Sequence, residues 1–321
     1  MLEVPDANTA LKPCIGVSSC LAGEKVRYDG DASPHDYIND KLAAVCQLIP
    51  VCPEVGIGMG VPRPPIHLVG MPEAPEAVGV DNPELNVTRA LHDFARTTAA
   101  SLPLIAGYIF KSRSPSCGLG SVKVMLNSGE VVSNGNGLYA QSLIHTMPLL
   151  PVVDETCLDD PEHRDHFLEC VFTYHRWLLF MEHRITVQSL RNFHSRHELL
   201  IRARGETAWK TLDAIILEAE SKPLEEISER YITHLMRIIQ TLLKPNQHVQ
   251  ILKSVVSCLE VELSDHTRAE ISRAVNDYDN GIVGRDVPVK KIRAVLFTIP
   301  PHRLQKQVYL NPSDQEAELR F

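Results

Sequence analysis

LIAGYIFKSRSPSCG, residues Leu104 to Gly118, decides how the first half of this chain folds. Leu104 to Phe110 is a short unbroken apolar run with a polar loop after it, which predicts a strand buried on both faces, as in parallel sheets. The loop from Lys111 to Gly118 carries Cys117. The same order occurs twice upstream: Ile15-Gly16-Val17 leads into Ser18-Ser19-Cys20, and Leu48-Ile49-Pro50-Val51 leads into Cys52-Pro53-Glu54. Sites in open parallel sheets form beyond the carboxyl ends of the strands, so three thiols placed one per strand end can meet although they are distant in sequence.

Helical spacing surrounds these strands. Tyr37, Ile38, Leu42, Val45 and Cys46 place a helix over Asp36 to Leu48, and Asn86 or Thr88 caps one that runs to about Ser101. Gly137 to Met147 reads as a helix, Leu149 to Val153 as a last strand, and Val122 to Val132 as a hairpin around Asn127-Ser128-Gly129. Residues 1–13 read as a loose tail, and Pro53 to Pro83 as a long Gly/Pro-rich functional loop. Strand and helix in alternation predict a parallel α/β domain with right-handed crossovers. From Pro161 the period is helical throughout, over 162–183, 185–204, 206–221, 224–243, 246–262 and 264–280. Breaks fall at Gly205, Pro223, Pro245 and Gly281, Ser264 is an N-cap, and Leu304 to Phe321 is read as an extended tail. The expected fold is therefore an α/β N-terminal domain with a mainly parallel sheet, residues 1–160, followed by an all-α C-terminal domain, residues 161–321.

Composition narrows the class. A chain of 321 residues with 44% hydrophobic content suits two domains with substantial cores. Residues 1–160 hold 10 Lys/Arg against 18 Asp/Glu, whereas the remainder holds 22 of each and ten of the 14 histidines. A net charge of −8 argues against a general nucleic-acid binder, although a local basic face is compatible with it. No run approaches the roughly 20 apolar residues that span a bilayer, and no apolar stretch follows a basic N-terminus, so a cytoplasmic protein without membrane contact is expected. Eight cysteines in such a chain do not form a disulfide framework. Clustered thiols then point to metal or catalysis, and scattered ones to small buried hydrophobes.

Cys20, Cys52 and Cys117 each lie beside Ser, Pro or Gly in a loop, where packing rarely demands a thiol. Three protein ligands leave a coordination position open, which suits catalysis, and thiolates favour zinc or iron–sulfur clusters. Cys14, six residues before Cys20, is either a spare ligand or, since it precedes its strand and belongs at the opposite end of the sheet, a structural residue, which is the reading preferred. Cys46 lies on an apolar helix face, and Cys157, Cys170 and Cys258 are isolated; core is the default for these four.

The segments VSSCLAGEKVRYDG (17–30), VCPEVGIGMGVPRPP (51–65) and KSRSPSCG (111–118) resemble the signatures of the thiouracil desulfidase (TudS) family, over roughly residues 12–155. SLRNFHSRHELL, NDYDNG and KQVYLNP in the helical half resemble a domain of unknown function fused to TudS domains, an architecture similar to that of bacterial tRNA 4-thiouridine desulfidases. The resemblance implies a 4Fe–4S cluster held by Cys20, Cys52 and Cys117 with one iron not bound by protein. It implies a non-redox hydrolysis in which that iron, a Lewis acid, binds the thiocarbonyl sulfur, water attacks the carbon and sulfide leaves. Glu54 matches the family's catalytic acid/base and Ser114 its catalytic serine. Both roles make physical sense: a carboxylate two residues from a ligand can activate water, and a hydroxyl in the facing loop can orient it. Ser112 and Ser116 are rivals to Ser114. Lys111 and Arg113 either hold a substrate phosphate or cover the loop; Arg27, Tyr28 and Arg63 either line the pocket or fix the loops.

The implied substrate is a thiolated pyrimidine, first 4-thiouridine in tRNA, converted to uridine and sulfide. Free thiouracil or a thiolated nucleotide is the second reading, and a non-catalytic cluster- or zinc-binding sensor the third. The chain departs from the family pattern at His67, Asn86 and Thr156-Cys157, and places Glu198, Glu260 and Asp279 where basic residues are usual. Phe193-His194 and His197, ringed by Arg191, Arg196, Arg202 and Arg204, form either an RNA-facing surface or a helix face with half-buried histidines.

Overall fold

The computed structural model describes residues 12–102 and 104–320; the expected N-terminal tail lies, up to residue 11, outside the described residues. These residues form two compact units, one running to Leu178 and the other starting at Leu179.

The first unit is built on a four-stranded parallel sheet in the order β2 (Gln47–Val51), β1 (Cys14–Ser18), β5 (Ile105–Phe110) and β8 (Val152–Asp154). β1 spans Cys14–Ser18, and a π-helical turn, Tyr37–Leu42, runs into α1 (Ala43–Val45). This helical stretch stops earlier than its spacing predicts, because Cys46 turns extended (φ −110°, ψ 157°) and β2 (Gln47–Val51) begins at once. α2 is the single turn Pro53–Gly56. The following segment is not the long loop expected. It folds into the hairpin β3 (Ile66–Met71) and β4 (Ala74–Gly79).

α3 (Thr88–Ser101) starts next to the expected residues, but its N-cap is neither of them: Val87 takes that position without a side-chain capping bond, while Asn86 Oδ1 accepts from the Thr88 N–H at 3.0 Å. β5 (Ile105–Phe110) is buried at every position, as its apolar run predicts. β6 (Val122–Met125) and β7 (Val131–Gly135) form the expected hairpin, which joins β3 and β4 in a second sheet of order β4-β3-β6-β7. α4 (Leu138–Thr146) and β8 (Val152–Asp154) complete the alternation.

α3 and α4 serve both sheets. Leu91 and Leu138 pack with Ile66, Leu68, Val122 and Val124 of the second sheet. Ala95, Tyr139, Ala140 and Leu143 pack with Ile105, Tyr108 and Phe110 of the first, and with Cys117 in the loop after β5. The Tyr108 ring crosses β1 so closely that a Cβ on Gly16 would lie 2.2 Å from it, which explains a glycine inside a strand. Phe167 and Val171 of α5 (Pro161–Met181) meet Gly107 of β5 in the same way.

The second unit is helical: α6 (Val187–Arg196), α7 (Glu198–Arg202), α8 (Glu206–Leu217), α9 (Leu224–Ile239), α10 (Pro245–Cys258) and α11 (Asp265–Asp279). Ser264 caps α11 as expected, its side chain accepting from the Thr267 N–H at 3.1 Å. Two helices depart from the expectation. α12 (Asp286–Leu296) was hidden by Pro288, and α13 (Asp314–Arg320) replaces part of the expected extended tail. No helix among the described residues is long and apolar enough to cross a membrane.

The two histidines of α6 and its C-cap are core residues, so the RNA-facing reading fails for them. His194 is 3% exposed, its ring lies 4.2 Å from that of Trp209, and its Nδ1 is 3.1 Å from the Tyr231 hydroxyl. His197 is 1% exposed, with Nδ1 2.7 Å from the Phe193 carbonyl. Burial lowers the His194 pKa to about 4, the more so for the nearby Arg202 and in spite of Glu198. Asp213, 3.8 Å from Nε2 and half exposed, does not offset that burial. A histidine with a depressed folded pKa contributes full stability above its unfolded value and loses it as pH falls toward the folded one. Urea unfolding of the full chain is therefore expected to show about 2 kcal/mol lost between pH 7 and pH 5 from this group. His194→Phe should flatten that dependence, and an unchanged slope would exclude His194 as its source.

Candidate active site

The order β2-β1-β5 makes the three cysteine-bearing strands immediate neighbours. Adjacent strands lie about 4.8 Å apart, and the chain adds β2 on one side of β1 and β5 on the other, a topological switch point that opens a crevice at the carboxyl ends. Cys20 sits in the 3-10 turn Ser19–Ala22 directly after β1. Cys52 is the N-cap of α2 directly after β2. Cys117 lies in the loop after β5 and is 4% exposed.

All three thiols feel one another. Burial pushes Cys20 up to about 11; the Lys111 ammonium lowers it and Cys52 raises it further. Burial also raises Cys52, and it raises Cys117 strongly, against a hydrogen bond with Ser18 and with Glu54, Cys52 and Cys20 adding to the rise. Two buried thiols and a half-buried one, which would repel one another as thiolates, are a donor set that fits a positively charged group. Among the described residues no three His, Cys, Asp or Glu are close enough together to hold a single metal ion. As a set of thiols alone, the donors suit zinc or an iron–sulfur group.

The loop that presents Cys117 is fixed by its own serine. Ser114 Oγ accepts from the backbone N–H groups of Cys117 at 3.1 Å and Ser116 at 3.3 Å, and its carbonyl accepts from Gly118 N–H at 2.8 Å. α4 closes the loop from outside. N–H groups of its first turn, which have no partner within the helix, reach loop carbonyls: Leu138 to Pro115 and Ala140 to Ser116, each at 3.1 Å.

Glu54, on α2, is held at both oxygens. Ser116 Oγ donates to Oε1 at 2.8 Å and Arg63 Nε donates to Oε2 at 2.7 Å. The structure thus brings Glu54, Ser116 and Cys117 together across the crevice. Lys111 and Ser112 go to a different partner, Glu155, which follows β8. The Lys111 ammonium and the Ser112 hydroxyl both donate to Oε1, the latter at 2.8 Å, and the Ser112 N–H donates to Oε2 at 2.6 Å. Burial alone would raise the Glu155 pKa, but these hydrogen bonds and the Lys111 charge hold it below the usual carboxylate range. Arg113 is exposed with φ 59° and is apart from these contacts. Arg27 pairs with Asp29 at 3.2 Å, beside Tyr28, which is 47% exposed.

Glu155 and Ser18 were not foreseen from the motifs. Ser18 Oγ accepts from the Lys111 N–H at 3.0 Å and so stitches β1 to the loop after β5. Cys14 heads β1, with its thiol 3.5 Å from Gln47 Oε1, at the end away from the site. Cys46 and Cys170 are buried, as expected, and Cys157 is half-buried. Cys258 is exposed and not a core residue, because it is the last residue of α10.

In the helical unit the unusual acidic residues each meet a cation: Glu198 lies at 3.0 Å from Arg202 and 3.1 Å from Arg303, Glu260 at 3.1 Å from Arg268, and Asp279 at 3.7 Å from Lys253. Arg191 pairs with Glu220 at 2.7 Å, and Arg204 donates to the Leu200 and Ile239 carbonyls at 3.0 and 2.9 Å.

Residues 15–155 match the family model described as 2-thiouracil desulfurase, and residues 198–313 match a protein of unknown function, DUF1722. The uncharacterized protein YbbK of Bacillus subtilis is 32% identical over 137 residues, 40% of this chain and 87% of that protein. The uncharacterized protein YbgA of Escherichia coli is 20% identical over 157 residues, 49% of this chain and 93% of that protein. Among solved structures, a [4Fe-4S]-dependent thiouracil desulfidase, TudS, is 29% identical, with 46% of this chain and 94% of that chain covered and a TM-score of 0.36. Through the half that carries Cys20, Cys52 and Cys117, this chain belongs to the 2-thiouracil desulfurase family.

Proposed function

We propose that this chain is a desulfidase that hydrolyses the thiocarbonyl of a thiolated pyrimidine, with Cys20, Cys52 and Cys117 as the ligands of a 4Fe–4S cluster and Glu54 as acid/base. The observation that carries this reading is the meeting of three thiol-bearing loops at the ends of neighbouring strands, with Glu54 two residues beyond one of those thiols. When bound, such a cluster with one iron not held by protein supplies a Lewis acid for the thiocarbonyl sulfur. The chain's own residues supply the rest. Glu54 keeps lone pairs free on both oxygens, since each accepts one hydrogen bond, and takes a proton from the attacking water. Ser114 spends its lone pairs on two backbone amides, which leaves its own O–H to orient water or substrate. Burial of Ser116 and Arg63 keeps bulk water away from the rear of Glu54.

Glu54→Gln, nearly isosteric but unable to accept a proton, tests the assignment. Anaerobically prepared variant should keep its iron and lose sulfide release from thiouracil by about 10²–10⁴-fold, the usual size of an acid/base contribution. Wild-type turnover in the variant would remove Glu54 from the chemistry.

For the substrate, 4-thiouridine in tRNA follows from the resemblance of both halves to fused tRNA desulfidases. The free base or nucleotide is favoured by a specific observation: Arg191 and Arg202 are paired with carboxylates of their own unit, which weakens any phosphate-binding face there. Rates of sulfide release from tRNA, 4-thiouridine and thiouracil at two salt concentrations separate the two. A steep salt dependence confined to tRNA supports the RNA substrate, and its absence supports the small one.

A further inference from the structure

Arg63 joins three segments of the site. Its Nε donates to Glu54 Oε2 at 2.7 Å, and its Nη1 donates to the carbonyls of Val26 at 2.8 Å and Gly60 at 3.0 Å. Its main-chain N–H donates to the Tyr28 carbonyl at 3.0 Å. The guanidinium thereby ties the loop after Cys20 to the segment after Cys52. The Arg63 side chain is 3% exposed and that of Glu54 12%. On the other flank of the carboxylate, Ser116, fully buried, donates to Oε1 at 2.8 Å. A buried ion pair is a poor way to stabilise a fold, because apolar side chains of similar volume do as well without the desolvation. What such a pair does provide is a fixed direction: a carboxylate gripped at both oxygens from separate loops cannot turn about its terminal torsion, which is otherwise broad. The planar fork of arginine serves several acceptors at once, which a lysine ammonium cannot reproduce.

We infer that Arg63 and Ser116 are positioning residues that clamp the Glu54 carboxylate by opposite oxygens, Arg63 doing so while locking the loop after Cys20 onto the loop after Cys52; the inference rests on the desulfidase reading above. The full chain, loaded with its cluster under anaerobic conditions, is compared as parent, Ser116→Ala, Arg63→Lys and Arg63→Met, with 2-thiouracil as the probe. Ser116→Ala should lower kcat about 10- to 100-fold, the scale of a small misplacement of a reacting group, with KM and iron content little changed. Arg63→Met should lose as much, and Arg63→Lys should recover only part. Hydrogen exchange of the metal-free chain supplies a readout apart from activity: Arg63→Met should speed amide exchange over residues 26–30 and 54–60, and Ser116→Ala should not. If Arg63→Met does not fold, Ser116→Ala decides alone. Parent-like kcat in Ser116→Ala, or parent-like exchange in Arg63→Met, overturns the clamp. If the parent itself releases no sulfide from any thiolated pyrimidine, the desulfidase reading fails, and the exchange data still decide whether Arg63 locks the two loops.

Discussion

Cys117→Ser is expected to strip the anaerobically purified protein of iron and acid-labile sulfide while leaving it folded. The thiol is 4% exposed and packs in the core formed by Tyr108, Phe110 and Tyr139. In that setting burial drives its pKa far above the ordinary thiol range, so that without a cation it stays protonated and inert. A positively charged group at the crevice reverses the balance, because a coordinated thiolate no longer stands as an uncompensated buried charge. Serine keeps the shape but offers a hard oxygen where iron–sulfur groups select a soft sulfur. The loss should exceed the roughly 10–100-fold that mutations of outer-shell partners cost in metal affinity. Cys14→Ser, at the amino end of the same sheet, is the control and should keep full iron. Iron and sulfide assays with the visible absorption spectrum read both variants; parent-like loading in Cys117→Ser would remove this residue from the ligand set.

The parts of the site that were legible in the sequence are those in which chemistry and strand share one short stretch. Ile105 to Phe110 is apolar at every position and buried at every position, so the residues after it had to emerge at a strand end. The same logic placed Cys20 and Cys52, and local chemistry marked the cap at Ser264. What stayed hidden depends on contacts between distant segments. Glu155 receives Lys111 and Ser112 from 43–44 positions earlier, and nothing in its neighbours announces a partner. Arg63 itself was legible as a residue that lines the pocket or fixes the loops, but its partner Val26, 37 positions away, was not. The β3–β4 hairpin escaped because Gly70 and Pro75 lie within its strands, where such residues usually mark their ends. The histidines of the helical unit misled in the opposite direction. A cluster of His and Arg resembles a nucleic-acid face, but rings stacked on Trp209 and Phe193 made the same residues good core.

Gly137→Ala is expected to cost about 3 kcal/mol or more, at the upper end of overpacking effects, and to lower iron loading with it. The reason is not backbone strain, since φ −66° and ψ 141° are accessible to any residue. A Cβ at this position would lie 2.4 Å from the Ser116 carbonyl carbon and 2.5 Å from the Cys117 nitrogen. Both are main-chain atoms of the ligand loop, so no side chain can swing aside to make room. The helix start would have to retreat, and with it the hydrogen bonds from Gly137 to Gly118, Leu138 to Pro115 and Ala140 to Ser116. Gly129 is the informative comparison. Its φ of 84° disfavours a side chain, but nothing lies within 4 Å of the added carbon, so Gly129→Ala should cost about 1–2 kcal/mol and leave iron untouched. Thermal unfolding measures the first quantity and iron content the second. A Gly137→Ala protein that is destabilised yet fully loaded would mean that Cys117 is held in place by Ser114 and the core alone, and that α4 only covers a loop already formed.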